Sequence, residues 1–184
     1  MKFIVAPFLV LAACTAPPPP PPAAEVSGDA SGPAWFDPVR VETDLKTTAL
    51  ERFGDGYFAE AIRAPTYLFA KHYVGLPQPP ILQPDGSYKY PPPPMAMLHR
   101  GAEGWMVATA TGFRPAKADK AAAIDAILSD AAFWAEPASS QPACTDAGGS
   151  LLMLRVPRHD QVLRQGACGA TALTERLVFL ALEA

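Results

Sequence analysis

The sequence predicts an α+β fold: a small antiparallel sheet with two helices, behind a proline-rich tether. Three observations carry this. Met95 to His99 and Trp105 to Thr111 are apolar runs joined by Gly101-Ala102-Glu103-Gly104, the composition of a β-hairpin with glycine in its turn. Leu151 to Val156 and Gln161 to Gln165, joined across Pro157-Arg158-His159-Asp160, read as a second hairpin. Between them, Ile124, Ile127, Leu128 and Ala131 recur at helical spacing, with Asp125, Ser129 and Asp130 elsewhere on the cylinder, so a helix is expected over about Ala118 to Phe133.

In chain order, the first segment is an export signal by its parts. Lys2 supplies a positive charge, and Phe3 to Leu11 is a nine-residue apolar run interrupted only by Pro7. As a helix, such a run would reach roughly 14 Å, about half a hydrocarbon core, so it is too short to span a bilayer. Leu11-Ala12-Ala13-Cys14 resembles the lipobox of bacterial lipoproteins. The resemblance covers residues 1–14 only. It implies cleavage before Cys14, a diacylglyceryl group on its thiol and an acylated new amino terminus, hence an anchor in a bilayer and a periplasm-facing protein. The alternative is an ordinary secretory signal that leaves Cys14 as a free thiol. Thr15, where an Asp would favour inner-membrane retention in enteric bacteria, leans the assignment towards the outer membrane.

Residues 14–34 then form the tether. Pro17 to Pro22 favours polyproline II, roughly 19 Å of stiff spacer. Ala23 to Pro33, with Ser27, Gly28, Ser31 and Gly32, continues it. Residues 35–184 make one domain, long enough to bury a core without a metal to hold it.

Charge excludes one large class of partners. The whole chain has 15 Lys+Arg against 18 Asp+Glu, a formal charge of −3, and no basic cluster, so no nucleic-acid partner is implied. The acidic residues are scattered and form no tail.

Within the domain, Val39, Val41 and Leu45 alternate loosely against Arg40, Glu42 and Asp44, which predicts a strand over Phe36 to Leu45. Ala49 to Phe53 is read as a short turn of helix, and Gly54-Asp55-Gly56 as a turn. Tyr57 to Ala64 and Tyr67 to Val74 fit either strand or helix. Leu76 to Pro94 holds eight prolines, which lack the N–H that a ladder needs, so a protruding loop or crude hairpin is expected around Asp85-Gly86. Ile81, Leu82, Tyr88 and Tyr90 sit on it. Tyrosine presents amphipathic contact surface with few rotors, which makes this loop the candidate for binding an envelope protein partner, against the plainer reading of a variable surface loop. Gly112 to Pro115 is read as a break. Thr171 to Leu182 is the second helix, although Leu177 to Leu182 is apolar throughout and also fits a buried strand. Met97-Leu98 and Met153-Leu154 open hairpins 56 residues apart, each followed by a glycine break and an apparent helix, which suggests two ββα units with both helices on one face.

Cys144 and Cys168 flank the second hairpin. In an exported domain an even pair is read as a disulfide, worth roughly 3 kcal/mol for a loop of about 25 residues. There is no Cys-x-x-Cys, and the two cysteines with His72, His99 and His159 lack zinc-ligand spacing, so neither cofactor nor metal is expected. Gly148-Gly149-Ser150 lacks the flanks of a nucleophile elbow. No catalytic residues are assigned. The expected function is a non-enzymatic binding, accessory or structural lipoprotein, with a hydrolase of unrecognised active site as the alternative. The discriminating geometry is a histidine within hydrogen-bond reach of a serine or carboxylate in a cleft.

Overall fold

The computed structural model describes residues 36–73, 79–139, 148–167 and 172–184. Cys14, Cys144 and Cys168, and with them the lipidation and disulfide expectations, lie outside these residues, as do the export signal and the tether. The described residues all fall in one unit, Ser31–Ala184.

The fold is α+β, built on a six-stranded antiparallel sheet. In chain order the elements are α1 (Pro38–Phe53), α2 (Asp55–Arg63), β1 (Tyr67–Tyr73), β2 (Ile81–Leu82), β3 (Tyr88–Lys89), β4 (Met95–Gly101), β5 (Gly104–Thr109) and β6 (Gly112–Pro115). They continue with α3 (Ala118–Ser129), α4 (Ala131–Ala135), β7 (Gly149–Val156), β8 (His159–Ala167) and α5 (Ala172–Glu183). The strand order is β6-β5-β4-β1-β7-β8, and β2–β3 is a separate two-stranded ribbon.

Both faces of the sheet are buried. Side chains alternate along each strand, so Leu68 and Ala70 of β1 face one layer and Tyr67 and Phe69 the other. The first face packs Leu98, Leu152 and Leu154 against Ile124 and Ile127 of α3, Phe133 of α4 and Leu177 and Val178 of α5. The second packs Met97 and Met153 against Val41, Leu45, Ala49 and Phe53 of α1 and Ala61 of α2.

The predicted strand over Phe36 to Leu45 is therefore a helix. Asp37 accepts from the N–H groups of Val39 and Arg40 at 3.0 and 3.2 Å and so caps α1, with Pro38 in its first turn. The buried stripe Val41, Leu45, Ala49, Phe53 repeats every four residues, and Val39, which made the pattern look alternating, is 71% exposed. The expected short turn at Ala49 to Phe53 is the end of the same helix. The segment expected over Tyr57 to Ala64 is helical as far as Arg63, within α2, and that over Tyr67 to Val74 is β1 as far as Tyr73, Val74 lying outside the described residues. The expected break at Gly112 to Pro115 is β6, paired to β5 at the edge of the sheet. The helix expected to run to Phe133 stops at Ser129, because Asp130 turns extended and its carboxylate caps a new short helix, α4, through the N–H of Ala132. The helix expected over Thr171 to Leu182 is α5 from Ala172 on; Thr171 lies outside the described residues. The described residues thus carry α1, α2 and α4 in addition to the two helices expected.

The two hairpin–helix units lie on either side of β1. Leu68 pairs with Leu98 and Leu154, and Phe69 with Met97 and Met153, so the matching segments occupy equivalent register positions. Helices α3 and α5 share one face, as expected. But β4 and β7 run the same way, present the same side chains to that face, and extend the sheet to opposite sides. Such hairpins are mirror-related, and no rotation superposes them.

Candidate functional site

The candidate loop folds into the β2–β3 ribbon, with Ile81 opposite Lys89 and Leu82 opposite Tyr88. Its turn follows from Gln83-Pro84-Asp85-Gly86. Pro84 presets the first bend, the Gly86 N–H donates to the Gln83 carbonyl at 3.0 Å, and Gly86 takes φ +83°, which a side chain would strain. The Gln83 N–H donates to the Ser87 carbonyl at 2.7 Å and closes the ribbon. The Asp85 carboxylate accepts from the Ser87 N–H and hydroxyl at 2.9 and 2.6 Å, which lowers its pKa. Above this turn Ile81, Leu82, Tyr88 and Tyr90 are 56–68% exposed. They are four of the six large apolar or aromatic side chains that are exposed among the described residues.

The three histidines are dispersed. His72, on β1, has Nδ1 3.2 Å from the Ser150 hydroxyl of β7, within hydrogen-bond reach. Ser150 is buried, the His72 ring packs against Phe179 of α5 at 4.9 Å, and no carboxylate bonds the ring among the described residues. Among the described residues the pair has no orienting third group of the kind a hydrolytic triad uses. His99 is buried edge-on to Phe113, and among the described residues its Nε2 has no hydrogen-bond partner, with Glu60 3.8 Å away. Desolvation lowers its pKa, and Glu60 acts in the opposite sense. His159, expected in the turn, is the first residue of β8 and stacks flat on Trp134 at 3.7 Å.

That stack forms one wall of an open cleft of about 740 Å³, which Thr66, Arg100, Asp125, Ser129 and Arg158 also line. Arg100 reaches both Asp125 oxygens at 2.8 and 3.1 Å, and the Trp105 indole donates to the same carboxylate at 2.9 Å. The exposed Arg100–Asp125 pair is charge-balanced, and Arg158 adds a cation to the lining.

Two ion pairs built on buried cations were not anticipated from the sequence. Lys71 of β1 points into the α1 face and donates to both Asp44 oxygens at 2.8 and 2.9 Å and to Thr48 at 2.8 Å, while the Tyr73 hydroxyl donates to Asp44. Burial first, then the Asp44 carboxylate, pushes the Tyr73 phenol well above its ordinary range. The only signal was one lysine inside an otherwise apolar and aromatic run. Arg164 of β8 is buried and donates to Glu136, Thr174 and the Phe133 carbonyl at 3.0, 2.9 and 2.7 Å. Glu136 in turn accepts from the Leu173 and Thr174 N–H groups, both at 3.1 Å, capping α5. Both clusters tie a helix to the sheet.

Among the described residues no group of histidine, cysteine and carboxylate side chains could hold a metal, and no helix is long and apolar enough to cross a membrane. No family model, curated protein or solved structure matches the chain.

Proposed function

We propose that the chain is an envelope lipoprotein, held on the periplasmic side of a bacterial membrane, by preference the outer one, through acylated Cys14. Its domain is a non-enzymatic binding module that captures another envelope component through the β2–β3 ribbon. The observation that carries this reading is the concentration of exposed apolar surface on one small element. A two-stranded ribbon with two paired residues per strand is marginal in water, and four uncovered large side chains on it add nothing to the core. Such a surface is accounted for by a partner that covers it, and tyrosine is well suited to that role.

The test is the fourfold replacement of Ile81, Leu82, Tyr88 and Tyr90 by serine in the full chain. Because these side chains contribute little to the core, the unfolding free energy from urea titration should stay within about 0.5 kcal/mol of the parent. Cross-linking in membranes should lose its specific envelope adduct. An adduct of unchanged yield would remove the ribbon from the function.

A further inference from the structure

The backbone of the ribbon says how a partner would be held. The Gln83–Ser87 hydrogen bond makes that pair the bonded one, so along the ladder Leu82–Tyr88 is a non-bonded pair and Ile81–Lys89 the next bonded one. The N–H and C=O of Leu82 and Tyr88 therefore point outward, on opposite edges. Tyr90 precedes a proline, which holds it extended, and continues the alternation of β3. The two edges are not equivalent. On the β2 side the outward positions are Pro80, Leu82 and Pro84, which leaves one N–H donor. On the β3 side they are Tyr88 and Tyr90, which leaves two donors and two acceptors in register.

Resting on the reading of the ribbon as the capture element, we propose that β3 binds by strand addition: an extended segment of another protein lies antiparallel along Tyr88-Lys89-Tyr90 and is bonded at both tyrosines. Charge selects the occupant. The antiparallel register in which a second copy uses both tyrosines sets Lys89 against its own symmetry mate, and like charges directly opposite are destabilising. Among the described residues Lys89 has no ion-pair partner. The occupant is therefore a foreign strand that places an acidic residue opposite Lys89 and apolar residues opposite Tyr88 and Tyr90.

The probe is an acetylated, amidated fluorescent peptide with the core Thr-Val-Glu-Val-Thr, titrated against the full chain in detergent micelles and read by anisotropy. Amide exchange at Tyr88 and Tyr90 is followed in parallel. The glutamate peptide should bind about fivefold tighter than its lysine counterpart, and Lys89→Glu should reverse that order. N-methylation of both valines should abolish binding, and exchange should slow on β3 but not on β2. No binding of the parent peptide would overturn the proposal. So would a preference that survives Lys89→Glu, unchanged binding of the methylated peptide, or a dimer of the chain that Lys89→Glu dissolves. The two readings separate cleanly. If the fourfold serine variant loses its envelope adduct while Lys89→Glu and the methylated peptide behave as the parents do, the ribbon stands and strand addition falls. If the serine variant keeps its adduct, both fall.

Discussion

His99 shows how little a residue type says before its surroundings are known. In the sequence it stands beside Arg100 and reads as an exposed end of a strand, yet it is buried, with Nε2 unpaired among the described residues. Its pKa lies below that of a free histidine because burial penalises the imidazolium more than Glu60 relieves it. The sign follows. The unfolded chain takes up the proton first, so the contribution of this group to stability is complete above the ordinary value of 6.5 and is lost as pH falls below it, down to the folded-state pKa. Urea unfolding across that window should show stability declining on acidification, and His99→Leu should flatten part of the slope. An unchanged slope would mean that other groups set it. Lys71 carries the same lesson. A lysine in an apolar strand could be read as an edge residue, and only the return of α1 over β1 supplies Asp44 and Thr48 as its partners.

At the scale of elements, legibility followed the period and failed where two periods fit. The hairpins β4–β5 and β7–β8 and the helix α3 were legible because a glycine turn in the first, a proline break in the second and an i, i+3, i+4 spacing in the helix marked them; the second turn is shorter than expected, Pro157-Arg158, with His159 and Asp160 already in β8. Helix α1 was misread because Val39, Val41 and Leu45 fit a strand when counted by twos, while the buried positions advance by fours. The decisive signal was local and present: Asp37 followed by Pro38, a capping side chain ahead of a residue with preset φ. If that cap organises the first turn, Asp37→Ala should cost about 1 kcal/mol, visible as a lower urea midpoint with an unchanged slope. The ribbon was legible as a loop with two tyrosines, but not as two unequal edges, because the pairing that decides which N–H groups face outward is a property of register.

For the whole molecule, strand order was the part that composition could not supply. Nothing local says that β1 lies between β4 and β7, since each pairing joins segments far apart in sequence. The open end of the β7–β8 hairpin is the pair Gly149 and Ala167; Cys144 and Cys168 lie outside the described residues, and their disulfide is a proposal for experiment. If the proposed anchor and disulfide are right, detergent-extracted protein, alkylated before and after reduction, should show by intact mass an acylated chain that begins at Cys14, with two thiols appearing only on reduction. Cys144→Ser should lower stability by roughly 3 kcal/mol. Free thiols without reduction would remove the disulfide, and an unacylated mass would remove the anchor.

The central place of β1 carries a cost in time. A chain that emerges from its N-terminus delivers Tyr67-Leu68-Phe69-Ala70, a fully buried stretch of the finished sheet, before either neighbour exists. Its β4 partner follows after some twenty residues, but β7 begins only at Gly149. Until then one flank of the strand stands open to any other extended polypeptide, and a product cut short after β6 would keep that flank open for good. The strand that makes the finished sheet cohere is thus the one an unfinished molecule most needs to have shielded.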